Sequence, residues 1–185
     1  MKRFSSIFCV TLLVLAAAAS LVQATQILYQ SPKQMGRESP LVVKGKVATS
    51  RSFWNEKRTK IFTETFVDVD ETYKGTGGST VRIIQIGGVV GNVRMHVHGA
   101  LSWRPGEEVL LFLEPYGTEG YRVSGFSQGK FEIERDPKTG EAFITRPALE
   151  GVEVLGAPVR EGAAPVSRTV KIRLDQFIEE ALNRR

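Results

Sequence analysis

The segment Leu41–Val47, with the sequence LVVKGKV, decides the fold more than any other part of the chain. Apolar residues at its first, third and seventh positions share one face, while Lys44 and Lys46 lie on the other. This two-residue period is typical of a half-buried strand. Gly45 falls on the apolar face, where a glycine often marks a bulge or the bend of a barrel corner. The segment therefore predicts the bent opening strand of a small β-barrel.

Further strands follow at short intervals. Long strands are predicted over 61–73 and 80–86, and 109–113 is predicted to be covered on both faces because it has five consecutive apolar residues. Another strand begins at 121–123, and the turn at 136–140 closes a hairpin. The predicted fold class is mainly β, a small Greek-key barrel of the OB type with an added β-hairpin and a C-terminal α-helix. A β-sandwich with a similar number of strands remains open.

The end of the chain predicts a helix over 170–185. Asp175 is a candidate for its N-cap, and the spacing of its apolar residues is that of an amphipathic helix. We expect the apolar stripe to pack on the outer face of the strand at 109–113. The stripe consists of Leu174, Phe177, Ile178, Ala181 and Leu182.

The N-terminus has the order of a secretory signal peptide. Lys2 and Arg3 precede an apolar run, and small residues lead to a predicted cleavage after Ala24. Cleavage would remove Cys9, the single cysteine, and lower the formal net charge of +5 by two. The apolar run is shorter than the roughly 20 residues that a membrane-spanning helix needs, so no stable membrane anchor is predicted. The expected location is the periplasm or the extracellular medium.

The composition along the chain suggests five parts. Residues 1–24 form the signal peptide, 25–38 a polar lead-in, and 39–150 the barrel domain. Residues 151–169, rich in glycine, alanine, proline and valine, are predicted to be an extended connector. Residues 170–185 form the C-terminal helix, docked on the barrel.

Three segments resemble the netrin-like OB-fold domains, the class that includes the tissue inhibitors of metalloproteinases. Leu41–Val47 resembles their opening strand, and 66–75 (FVDVDETYKG) resembles their second strand with its Lys-Gly turn. Residues 105–114 (PGEEVLLFLE), followed by 120–123, resemble their fourth and fifth strands. The resemblance implies a protein-binding domain whose partner is a secreted protease. The animal inhibitors bind the protease zinc through an N-terminal cysteine, which the mature chain predicted here lacks.

The strongest candidate for a binding site is the aromatic and basic segment at 51–60. It is predicted to be a loop after the first strand, a place where OB-folds commonly bind oligonucleotides or oligosaccharides by stacking and charge. A signal peptide argues against nucleic acid, so the expected ligand is a glycan or an acidic protein surface. The alternative is that the two aromatic rings pack over a barrel end. The candidate residues are Arg51, Phe53, Trp54, Lys57, Arg58 and Lys60.

His96 and His98 are the two histidines of the chain. Their spacing places both on one face of a strand, as in some zinc and copper sites, and would allow a metal-dependent activity. No third ligand is evident in the sequence, and Arg94 on the same face would oppose a cation. A solvated polar face is the simpler interpretation.

An enzyme is the less favoured class, because the sequence offers no cysteine nucleophile, no Gly-x-Ser-x-Gly motif and no separated histidine base. The function predicted is a secreted or periplasmic non-enzymatic binding module. Its expected partner is a protein, with a secreted protease as the class that the resemblance implies, and glycan or envelope-polymer binding is the alternative. No cofactor and no nucleic acid are expected.

Overall fold

The computed structural model of the protein describes four stretches of the chain, residues 25–118, 120–145, 152–155 and 171–183. The predicted signal peptide lies outside these stretches, as do most of the predicted connector and the end of the predicted barrel domain. The two arginines that end the chain also lie outside them.

The described residues form twelve strands and two helices. The strands are β1 (Thr25–Leu28), β2 (Leu41–Trp54), β3 (Ile61–Lys74), β4 (Thr80–Ile86), β5 (Gly88–Val90), β6 (Val93–Met95), β7 (Glu108–Tyr116), β8 (Gly120–Val123), β9 (Lys130–Arg135), β10 (Ala142–Thr145), β11 (Val152–Leu155) and β12 (Ile172–Arg173). The helices are α1 (Pro32–Glu38) and α2 (Leu174–Leu182).

Five strands close into a ring in the order β2–β3–β4–β8–β7, with β7 returning to β2. The neighbours in this ring are antiparallel except β4 and β8, which run parallel and pair at one position, Ile83 with Tyr121. The ring confirms the predicted mainly β, OB-like barrel, and the alternative of a β-sandwich is wrong because one sheet closes on itself. The predicted hairpin is also present, since β9 and β10 extend the sheet beyond β7.

The bend predicted at Gly45 is present. The register between β2 and β3 shifts between Lys44 and Gly45. A Cβ atom at Gly45 would lie 2.1 Å from the backbone oxygen of Asp68, so only glycine allows the two strands to approach this closely. The bend turns one face of β2 into the barrel interior. The interior core consists of Leu41, Val43, Val47, Val67, Val81, Ile83, Leu101, Val109, Leu111, Leu113 and Val123.

A second core lies outside the ring, between the sheet and α2. The other face of β7 contributes Leu110 and Phe112, and the ring centroids of Phe112 and Phe177 are 6.1 Å apart. The prediction that the C-terminal helix covers the outer face of 109–113 is therefore confirmed. Asp175 is not the N-cap as predicted; Arg173 occupies that position and Asp175 lies in the first turn, where it pairs with Arg173.

Residues 25–38, interpreted from the sequence as a polar lead-in, contain regular structure. β1 pairs in parallel with β11, and α1 begins after Ser31, whose hydroxyl accepts a hydrogen bond from the Gln34 N–H. The two helices touch closely, because a Cβ atom at Gly36 would lie 1.9 Å from the backbone oxygen of Ala181. In the described part of the chain, no helix is long and apolar enough to cross a membrane.

Candidate functional site

The first four residues of the segment predicted as a loop at 51–60 are strand. β2 continues to Trp54, and the turn occupies only residues 55–60. Asn55 closes this turn, since its side-chain oxygen accepts hydrogen bonds from the backbone N–H groups of Thr59 at 2.8 Å and Lys60 at 2.9 Å. The polar composition of 50–54 hid the strand because its serines face threonines of β3 and exchange hydroxyl hydrogen bonds with them.

The strand conformation separates the predicted binding residues into three places. Arg51 and Phe53 lie on the outer face of the barrel. Trp54 lies on the opposite face of β2, because adjacent residues of a strand alternate between faces. The cations of the turn form an exposed cluster at its tip, and we call them the tip cations: Lys57, Arg58 and Lys60.

The outer face of three adjacent strands forms one continuous surface, which we call the platform. The strand registers align its side chains in three rows of three, and standard strand spacing gives it dimensions of roughly 13 Å by 10 Å. The rows are Phe53, Phe62 and Ile86; Arg51, Glu64 and Ile84; and Thr49, Phe66 and Arg82.

The apolar side chains of the platform belong to neither of the two hydrophobic cores. Phe53 and Phe62 stack with their ring centroids 6.2 Å apart and their planes inclined by 29°. These rings and Phe66 are half-buried, and none of the three belongs to the interior core or to the core beneath α2. Stacked aromatic rings that face solvent on a rigid sheet are typical of a binding surface.

A buried carboxylate organises the charged part of the platform. Glu64 accepts a hydrogen bond from the Nε–H of Arg82 at 2.8 Å and another from the Nε–H of Arg51. Burial raises the pKa of the Glu64 carboxyl, but the two arginine hydrogen bonds outweigh it, and the pKa lies below its usual range. The side chain of Arg51 is 76% exposed, so its remaining N–H donors are accessible to a ligand.

Sequence reasoning missed most of the platform, including Phe62, Glu64, Phe66 and Arg82. These residues come from two strands beyond the candidate segment, and their proximity depends on the pairing register. A signal was nevertheless present, since in the sequence of β3 phenylalanine, glutamate and phenylalanine alternate with smaller residues that face inward. That alternation gives β3 an aromatic outer face.

The two histidines do not lie on a strand as predicted. β6 ends at Met95, and His96 and His98 are exposed in the segment that follows. Their rings nevertheless approach edge to face with centroids 4.9 Å apart. Within the described stretches, no group of three or more histidine, cysteine, aspartate or glutamate side chains could hold a metal ion.

The chemistry that the platform offers is recognition by stacking, apolar contact and guanidinium hydrogen bonds. The Arg51 and Arg82 side chains suit carboxylate groups in particular, because a guanidinium matches their geometry with two parallel hydrogen bonds. No protein-family model matches the chain, and the comparison with curated proteins gives no significant match.

Proposed function

We propose that this protein is an extracytoplasmic, non-enzymatic binding module that holds an acidic partner protein on the platform. The observation that carries the proposal is the hydrogen-bonded cluster of Arg51, Glu64 and Arg82 beside the Phe53–Phe62 stack, on a face that neither core uses. Aromatic residues and arginine are also enriched at the centres of protein–protein interfaces.

The topology supports this choice of face. In OB-folds the second and third strands of the ring commonly carry the ligand, together with the loop between the first and second strands. Here those strands are β3 and β4, and that loop carries the tip cations. The platform and the recognition face of the fold class therefore coincide.

The charge at this end of the barrel supports an acidic partner. Arg51 and the tip cations are exposed. The platform and the turn together carry five cations, Arg51, Lys57, Arg58, Lys60 and Arg82, against two carboxylates, Glu56 and Glu64. Such a field attracts carboxylate-rich surfaces and raises their association rate. The resemblance to netrin-like domains makes a secreted protease the partner class to test first.

A pull-down from the extracytoplasmic fraction of the native host tests the proposal. We expect one protein to be retained by the wild-type chain and by Phe143→Ser, a control that alters a half-buried phenylalanine of β10 away from the platform. Phe62→Ser should reduce retention at least tenfold, since central aromatic residues contribute about 2 kcal/mol or more to interfaces. Far-ultraviolet circular dichroism confirms that each variant is folded.

Two results would contradict the proposal: no protein enriched by the wild-type chain, or a protein retained equally by Phe62→Ser. Retention of a metalloprotease that a chelator abolishes would favour the inhibitor-like form.

Glycan binding is the second candidate, because the same stack of Phe53 and Phe62 presents flat apolar rings of the kind on which sugars pack. Retention of the wild-type chain on envelope polysaccharide, lost in Phe53→Ala and unaffected by Trp54→Ala, would favour it. The sequence alone pointed to Trp54, but Trp54 lies on the other face of β2.

A further inference from the structure

The barrel wall has a gap between β4 and the chain that follows β8. The two strands pair only at Ile83 and Tyr121, and beyond this point they separate. A cavity of about 490 Å³ occupies the gap, a volume within the range of about 300–1,000 Å³ typical of ligand sites. Its walls come from the end of β4 on one side and from residues 122–127 on the other. We call it the seam cavity.

Beyond Ile83, the edge of β4 along this cavity pairs with no strand among the described residues. Gly87 donates its backbone N–H to Ile61 of β3. Along an antiparallel strand, the backbone N–H and C=O groups of successive residues point to alternate sides. Those of Gln85 and Ile83 therefore also point to β3. Ile84 and Ile86 point theirs to the opposite side, which is the side of the seam cavity, and both line it. The ladder to β8 ends before Ile86.

Phe126 stands at the edge of the cavity in a backbone conformation that bulky residues rarely adopt. Its φ angle is +68°, and its side chain is 45% exposed. The turn that holds it is fixed by backbone hydrogen bonds, from Ser124 N–H to Phe112 and from Gly129 N–H to Ser124. A left-handed conformation at such a residue costs on the order of 1–3 kcal/mol, and strained residues of this kind cluster at functional sites.

The polar lining favours a ligand with hydrogen-bond donors and positive charge. The Gln30 side-chain oxygen is buried and has no hydrogen-bond partner among the described residues. Two carboxylates, Glu38 and Glu114, line the cavity against one cation, Arg122, which pairs with Glu114 at 2.8 Å. Glu38 is balanced only by a long, exposed ion pair with the neighbouring Arg37 at 3.8 Å, which contributes little, so its charge is accessible to a cationic ligand.

We propose that the seam cavity binds an extended peptide segment, which adds as a strand to the free edge of β4. The peptide backbone pairs with Ile86, and an apolar side chain enters between Ile84 and Phe126. A lysine or arginine of the peptide lies next to Glu38. Strand addition to an open edge is a recurring mode of peptide recognition, in which the main chain supplies affinity and the pocket supplies selectivity. This site adjoins the platform and shares Ile84 and Ile86 with it, but it goes beyond the proposed function because it requires neither Phe53 nor the tip cations.

Selection from an array of random nonapeptides with the full, tagged chain tests the inference. We expect the selected peptides to combine apolar residues with lysine or arginine. N-methylation at alternate positions should reduce their binding at least tenfold, because it removes the N–H groups that strand pairing needs. Glu38→Gln should weaken the preference for basic peptides.

The variant Phe126→Gly tests whether peptide binding needs the Phe126 side chain, without destabilising the fold. Glycine adopts a positive φ freely, so we expect the midpoint of thermal unfolding to stay the same or rise while peptide binding falls at least tenfold. Phe53→Ser is the control and should leave peptide binding unchanged. The inference is overturned if no peptide is selected, if Phe126→Gly binds the peptides as well as the wild type, or if Phe53→Ser abolishes binding. These outcomes do not depend on whether the pull-down supports partner binding on the platform.

Discussion

Two clusters of charged side chains have opposite arrangements of burial. On the platform, the carboxylate of Glu64 is buried and the guanidinium of Arg51 reaches solvent. Near the end of the barrel, the ammonium group of Lys130 is buried with a side-chain exposure of 1%, and the carboxylates of Glu107 and Glu132 surround it. In one cluster the cations are available to a ligand, and in the other the cation is enclosed by the fold.

The contacts of Lys130 explain why it is structural. Its ammonium group donates hydrogen bonds to Glu107 and to the backbone oxygen of Ser102, each at 2.8 Å, and lies 4.8 Å from the ring centroid of Trp103. Few of its donors are left for a ligand. A buried charged cluster can bind a ligand only where its hydrogen-bond donors remain accessible, and of these two clusters only the platform meets that condition.

The largest effect expected is on the barrel-end cluster. Lys130→Met leaves Glu107 and Glu132 without their shared cation, so we expect a loss of about 3–5 kcal/mol in the free energy of unfolding, measured in urea. Adding Glu107→Gln to this variant should recover part of the loss. Lys138→Met alters an exposed lysine and should change stability by less than about 0.5 kcal/mol. A loss below about 1 kcal/mol in Lys130→Met would show that the cluster does not stabilise the fold.

A smaller effect is expected at the buried anion of the platform. Glu64→Gln removes two charge-assisted hydrogen bonds, but solvent can still hydrate the exposed guanidinium of Arg51. We therefore expect a loss of about 1–2 kcal/mol in urea unfolding. A loss as large as that of Lys130→Met would mean that both clusters are structural and would remove the contrast between them.

Two carboxylates, Glu64 of the platform and Glu132 of the barrel-end cluster, should respond oppositely to pH. The pKa of Glu64 is lowered in the folded protein, so its stabilising contribution is complete above the unfolded-state pKa and is lost as the pH falls through the folded one. The stability difference between wild type and Glu64→Gln should therefore shrink on acidification from pH 7 to about pH 3.

The pKa of Glu132 is shifted in the opposite direction from that of Glu64. Burial raises its pKa, and the neighbouring Glu107 raises it further, so ionised Glu132 destabilises the folded state above that pKa. Glu132→Gln should be more stable than wild type at pH 7, and this gain should vanish below about pH 4, where the glutamate is protonated in both states. Parallel pH profiles for the Glu64 and Glu132 variants in urea unfolding would contradict the assignment.

The smallest effect on stability is expected at the most exposed member of the platform cluster. Arg51→Ala should change the free energy of unfolding by less than about 1 kcal/mol, because the Arg51 side chain is largely exposed and Arg82 still pairs with Glu64. Partner retention should fall in the same variant, and the loss should be greatest at low salt, where electrostatic attraction is least screened. Unchanged retention would show that the accessible guanidinium is not used.

The barrel could be predicted from the sequence because its determinants are local. The strand over 80–86 has the bounds that its composition suggests, and Gly45 marks the bend at the expected position. The helix α1 was missed although its signal was local too, since Ser31 and Pro32 are the residue types preferred at an N-cap and the first helical position.

The platform could be predicted only in part because it depends on register. Arg51 and Phe53 were identified as binding candidates from their segment, and both lie on the platform. Phe62 and Arg82 join them only through the pairing of three strands, which sequence periodicity does not fix. The seam cavity could not be predicted for the same reason, since nothing in the sequence near Phe126 indicates that β8 separates from β4.

The most direct test of the platform as the binding surface is site-specific photo-crosslinking in the native host. A photoreactive phenylalanine analogue is placed at Phe53, and a matched chain carries it at Lys138 on the distant turn of the β9–β10 hairpin. If the platform binds the partner, we expect one discrete adduct of higher mass from position 53 and none from position 138. Equal adducts from both positions, or an adduct from position 138 alone, would contradict this expectation.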